Sequence, residues 1–220
     1  MKHVSPDVIQ AAFAQTDPLS LEAKFLAEPA PPMAQAAGWL EAACAAEARI
    51  MTPDGPRPAG TLRRGDRVTA LGLGPIALVW TSMRRVRFGQ MRTTPGLAPL
   101  SLPPHALGGG APRRPLRLSP RAGVLIEAQG GPAEGVLVPA DALTGRGGCE
   151  ICQARDVDYV QLVTERHAII AADGVLVETL HPAALTETDP ARAAIAAVLP
   201  EIGHDATLYG PDFRPRAVPA

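Results

Sequence analysis

Cysteines, histidines and scattered carboxylates are the residues of this chain that could do covalent or metal chemistry. Cys44 is a candidate nucleophile, because a thiolate attacks carbonyls well. It lies in EAACAAEA, Glu41–Ala48, with no base at a readable spacing. Its alanine neighbours favour a small apolar packing role instead. Cys149-Glu150-Ile151-Cys152 is a CxxC. Structural zinc takes about four ligands, and the chain has no second CxxC to complete them. Redox use would need a helix N-terminus to lower the thiol pKa. Glu150-Ile151 reads as strand, so the two thiols should face opposite ways. No metal, no redox role and no cofactor is therefore expected.

The remaining candidates are weaker. His105, His167 and His181 fall inside the apolar-patterned half, where a histidine is more often held by a structural hydrogen bond than used in catalysis. Gly108-Gly109-Gly110 lacks the following Lys-Ser/Thr and the βαβ context of a phosphate loop, and reads as a bend. Glu165, Glu178 and Asp66 show no pairing that would make an acid–base dyad. Asp66 is better placed as a turn residue.

The elements that must position these residues change character along the chain. Ser5-Pro6 and Asp17-Pro18 are helix N-cap and N1 pairs. They predict helices over 6–15 and 18–28. A third is expected from Met33 through AQAAGWLEAACAAEA, whose Ala and Glu content is strongly helix-forming. From Arg49 short apolar runs alternate with turn residues. Strands are expected over 49–52, 67–71, 75–80, 84–88, 116–118, 123–127, 136–139, 157–163, 168–171 and 175–179. Pro53-Asp54-Gly55, Leu62–Asp66, Gly130-Gly131 and Asp173-Gly174 supply turns between them. Ile50, Val68, Leu125, Val138, Val160 and Ile169 should lie inside the resulting β-body. Asp189-Pro190 then caps a last helix to about Leu199. The expected organisation is a helical extension over 1–48, a mainly β domain over 49–200 and a Pro-rich tail over 201–220.

Bulk properties exclude several function classes. The chain has 220 residues, enough for one domain with an appendage and a sizeable core. Aromatics make up only 4%, so that core must be built from Ala, Val, Leu and Ile. The 24 Pro and 21 Gly argue for many short elements rather than a helical bundle. A net charge of −1 gives no general attraction to nucleic acid or anionic lipid. Arg84, Arg85 and Arg87 read as a solvated strand face. Three cysteines fit a reducing compartment. MKHVSPDVIQAAFAQTDP has no apolar signal region, and no long apolar run could span a membrane. A cytoplasmic protein is the expectation, and a leaderless or C-terminal export signal is compatible with it. A protein partner remains the open binding class.

Several motifs then combine. Thr52-Pro53-Asp54-Gly55, Leu62–Val68, Ala106–Gly110, Leu118-Ser119-Pro120, Val138-Pro139-Ala140, Asp158-Tyr159-Val160, Arg166-His167, Asp173-Gly174, Glu178 and His181-Pro182 occur in this order. The region from Arg49 to Leu199 resembles the bacterial branch of the Hint (hedgehog/intein) family. The resemblance implies an all-β, horseshoe-like disc. It also implies self-cleavage: a thiol or hydroxyl attacks the carbonyl of the preceding residue, and the amide becomes a labile (thio)ester.

The same resemblance places the nucleophile seven residues before Ile50, where this chain has Ala43. The family's Gly-Thr pair becomes Glu47 and Ala48. Its Ser-Pro-x-His, which brings an imidazole to the scissile amide, reads Ser119-Pro120-Arg121-Ala122. A later histidine position is Gln161, while His167 is kept. A methyl group cannot attack a carbonyl, and arginine is too weak an acid to protonate the leaving nitrogen near neutrality. Cys44 is adjacent to the nucleophile position but should face away from it in a strand. A helix over 33–48 would further oppose the extended geometry that cleavage needs. These residues imply a degenerate Hint protein without catalytic residues, kept as a binding or structural module, with Cys44, Gln161 and His167 as relics. The alternative is an active domain in which Cys44 performs the N-to-S acyl shift.

Overall fold

Short apolar runs broken by glycine and proline form strands rather than long helices in the described chain. The structure is a computed structural model and describes residues 40–126, 135–152, 155–186, 188–202, 205 and 209–210. The helices expected over 6–15 and 18–28, the first part of that over 33–48, and the Gly130-Gly131 turn lie outside these residues.

In chain order the strands are β1 (Ala43–Ala45), β2 (Arg49–Thr52), β3 (Gly55–Pro58), β4 (Arg67–Ala70), β5 (Gly74–Val86), β6 (Leu100–Leu102) and β7 (Leu116–Leu118). They continue with β8 (Gly123–Ile126), β9 (Val136–Pro139), β10 (Glu150–Ile151), β11 (Val157–Thr164), β12 (Ile169–Ala172) and β13 (Val175–Glu178). Helix α1 spans Phe88–Thr93 and α2 spans Pro190–Ala196. The strands hydrogen-bond in the order β10-β6-β7-β1-β11-β5-β4-β12-β13-β8-β9, with β2 on β12 and β3 on β2. The fold is mainly antiparallel β, as expected.

Strand β5 joins the two halves of this sheet. Gly74–Ala77 pair with β4, and Leu78–Val86 pair with β11. The two strands expected over 75–80 and 84–88 are thus one. Thr81, Ser82 and Met83 between them include neither Gly nor Pro, so nothing interrupts the ladder. Phe88, expected at the end of a strand, instead starts α1, where Asp156 accepts its backbone N–H at 2.9 Å.

The helix expected through residue 48 does not form in its described part. Residues 43–45 are β1, held antiparallel between β7 and β11. Alanine's helix propensity is worth only tenths of a kcal/mol per residue over most alternatives. Ladder partners on both edges outweigh it. Residues 43–45 accordingly pair with the β-body.

The core follows the apolar positions of each strand. Ile50, Val68, Leu125, Val138, Val160 and Ile169 are all buried. The Asp173-Gly174 turn has φ of 48° and 94° at its two residues, which lets β12 reverse directly into β13. The Asp173 carboxylate also accepts from the Arg49 amide at 3.0 Å and pairs with Arg114 at 3.1 Å, tying the hairpin to β2. Helix α2 starts as expected, with Asp189 accepting the Ala191 N–H at 2.8 Å. Among the described residues no helix is long and apolar enough to cross a membrane.

Candidate functional site

The site forms where β1 is inserted between β7 and β11. Ala43 pairs with Gln161, and Cys44 pairs with both Leu118 and Val160. Ser119, just after β7, holds Ala43 at two points. Its amide donates to Ala43 O at 2.8 Å. Its Oγ accepts the Ala43 N–H at 3.1 Å. The chain then turns, with Ala122 N donating to Ser119 O at 3.0 Å, and Ala140 N donating to Ala122 O at 2.8 Å. This turn carries Ala122 back toward β1.

Ala43, Cys44, Ala122, Leu162, Val177 and Glu178 border one crevice of about 10 Å³, barely the room of a single water. Apart from the Glu178 carboxylate and the Cys44 thiol its walls are aliphatic. Ala42, immediately upstream, has φ of 46°, a left-handed conformation that costs a non-glycine residue about 1–2 kcal/mol. Backbone strain therefore falls beside the position where the resemblance puts the nucleophile.

Cys44, expected to face away from the site because it is adjacent to Ala43 in a strand, lies on the side of Ala122. It shares a core cluster with Leu118, Ala122 and Val160, whereas Ala43 packs with Leu40, Val86 and Met91. Strand alternation separates the two side chains as expected, but the face shared with Ala122 is that of Cys44. Burial pushes the Cys44 thiol up from 9.0 to about 12. Its thiolate is then about one part in 10⁵ at pH 7.

Glu178 and His167 form a buried pair, with Nε2 and Oε2 3.2 Å apart. The other carboxylate oxygen accepts the Gly123 N–H at 2.8 Å, one residue after Ala122. Sequence inspection found no partner for Glu178. The signal was present in the hairpin register, since Asp173-Gly174 places Ile169 opposite Glu178. His167 lies two residues before Ile169.

Gln161 bridges two elements. Its Oε1 accepts from Ser82 Oγ at 3.2 Å, and its Nε2 donates to Glu41 O at 2.9 Å. Arg121 pairs with the Glu41 carboxylate at 3.5 Å. Neither Glu41 nor Arg121 had been assigned a binding role from sequence.

The other candidates lie elsewhere. His181 Nδ1 accepts from Ala183 N at 3.1 Å, so the proton is on Nε2, which donates to Gly210 O at 2.8 Å. Its ring also packs edge-on against His167 and Tyr209. His181 thus fastens the C-terminal segment. Cys149 is buried, Cys152 is partly buried, and both are free thiols. Gly108-Gly109-Gly110 forms a bend closed by Ala111 N donating to Gly108 O at 2.9 Å. Asp66 caps its turn through the Arg63 amide, and that bond together with Arg57 holds its carboxyl below the usual value.

A family model for the Hint domain matches residues 42–184. The crystal structure of the gp41-1 intein is similar at 11% identity and a TM-score of 0.38, over 61% of this chain and 96% of that one. No curated protein sequence matches significantly.

Proposed function

The chain belongs to the Hint domain family, and we propose that it has kept the family's fold while losing the self-cleaving reaction, persisting as an intact binding or structural module. The reaction needs a nucleophile at residue 43 and a proton donor at the amide nitrogen it releases. The observation that carries this reading is the Ser119 contact. Ser119 Oγ accepts from the nitrogen of Ala43, yet the fourth residue of the same motif is Ala122. The crevice between them offers one carboxylate and no imidazole. General-acid loss alone removes about 10²–10⁴ in rate, and losing the nucleophile removes the route itself. On this reading Gln161 and His167 are relics. Gln161 supplies an amide in place of an imidazole, and His167 is engaged with Glu178.

A second reading has Cys44 attacking the Ala43 carbonyl, which would convert the 43–44 amide to a thioester. Its support is that Cys44 shares the face of Ala122. Two features weigh against it. Burial suppresses the thiolate, and Ala43–Ala45 are held in ladder pairing between β7 and β11.

Restoring one group at a time tests the main reading. Ala43→Cys lacks the acid and Ala122→His lacks the nucleophile. Groups that act as a unit are strongly non-additive, so neither variant should release a fragment after a day with dithiothreitol. A fragment ending at residue 42 from the Ala43→Cys chain, or at residue 43 from the Ala122→His chain, would overturn the reading.

A further inference from the structure

We infer that the body contains a built peptide subsite, and that Leu40-Glu41-Ala42 of the same chain is its occupant. The inference rests on the proposed persistence of the 42–43 bond, because only an uncleaved chain keeps the segment covalently in place. Three contacts of different chemistry meet Leu40 and Glu41. Leu40 is buried against Val86, Met91, Leu97 and Tyr159, an apolar socket lined by strands and α1. The Glu41 carboxylate meets the Arg121 guanidinium at 3.5 Å. The Glu41 carbonyl accepts from Gln161 Nε2, whose orientation is fixed by Ser82. Glu41 also forms a parallel bridge with Arg121, so backbone and side chain act at the same point.

The strain at Ala42 points the same way. A left-handed alanine persists only where its surroundings over-determine it. Here residue 41 is held by Arg121 and Gln161, and residue 43 by Ser119. Ala42 is bent between two fixed points. The subsite selects an apolar residue at 40 and an acidic one at 41, with Arg121 as the specificity-determining residue. Arg121 and Gln161 occupy positions beside or within the two lost histidine positions. Gln161 stands at one of these positions and Arg121 next to the other, and both hold the upstream segment.

The test uses the full chain, first checked by intact mass and then by hydrogen exchange over residues 40–46. The β12–β13 hairpin serves as an internal reference. Arg121→Glu places two carboxylates together and should speed exchange at 41–43 about 3- to 10-fold. Glu41→Arg should do the same. Combining Glu41→Arg with Arg121→Glu restores opposite charges and should return exchange to within about twofold of the parent. Leu40→Ser should raise it at least about tenfold, since it puts a hydroxyl into an apolar socket and removes buried apolar surface. Failure of the charge swap to restore protection would overturn the subsite. So would faster exchange that extends equally into the hairpin. A chain found already cut at 42–43 by mass would overturn the persistence reading instead, and the two failures are read on separate instruments.

Discussion

The backbone nitrogen of Ala43 donates to Ser119 Oγ at 3.1 Å, across 76 positions of sequence. Ser119 in turn donates its own N–H to Ala43 O at 2.8 Å, so β1 is registered against the turn after β7 at both polar groups of one residue. This register brings Ala122 to the crevice beside β1. On the proposed reading, methyl groups at residues 43 and 122 stand where the resemblance places the reacting groups.

The Glu178 carboxylate should be the most sensitive polar group in the body. It accepts the Gly123 N–H and lies 3.2 Å from His167 Nε2 in a buried setting. Glu178→Ala removes both contacts and should cost about 2–4 kcal/mol. Glu178→Gln retains one acceptor for Gly123 and should cost less, about 1–2 kcal/mol. Urea unfolding of the two variants checks this; a Glu178→Gln chain as stable as the parent would show that the side chain acts only by filling space.

Gly123 should tolerate no side chain. A Cβ there would lie 2.4 Å from Glu178 Oε1. The buried Glu178 carboxylate would have to shift, so Gly123→Ala should lower stability by about 1–3 kcal/mol. An unchanged urea midpoint would contradict the packing described around this pair.

Stability should fall as pH rises above 9, in part through Cys44. Burial raises its folded-state pKa from 9.0 to about 12. The folded chain then holds a proton that the unfolded chain gives up, so the contribution is complete below 9 and is lost progressively toward 12. The slope approaches about 1.4 kcal/mol per pH unit for this single group. Tyr159 and Tyr209, also raised by burial, act in the same direction. Comparing Cys44→Ala with the parent at pH 8, 9 and 10 isolates the cysteine. Parallel pH profiles for the two chains would refute its buried thiol.

Much of this body can be read from sequence, because strand interiors and turns are local. Asp173-Gly174 announced the β12–β13 reversal, and Ile50, Val68 and Val160 announced their burial by position. Ser119-Pro120-Arg121-Ala122 marked the site through its resemblance to a known motif. What could not be read depended on neighbours remote in sequence. EAACAAEA reads as helix, and only β7 and β11 on its two sides make Ala43–Ala45 a strand. The side of β1 that Cys44 takes follows from its pairing with Leu118 and Val160. No local pattern contains that choice. The Glu41–Arg121 pair likewise joins residues 80 positions apart through a single bridge.

The intact mass of the unaltered chain, with and without overnight dithiothreitol, tests the central claim most directly. A small thiol intercepts any (thio)ester, so even a transient acyl shift would be converted to fragments. The account predicts one species of 22.9 kDa under both conditions. Two fragments divided after Ala42 or after Ala43, accumulating with thiol, would contradict it, and division after Ala43 would make Cys44 the nucleophile.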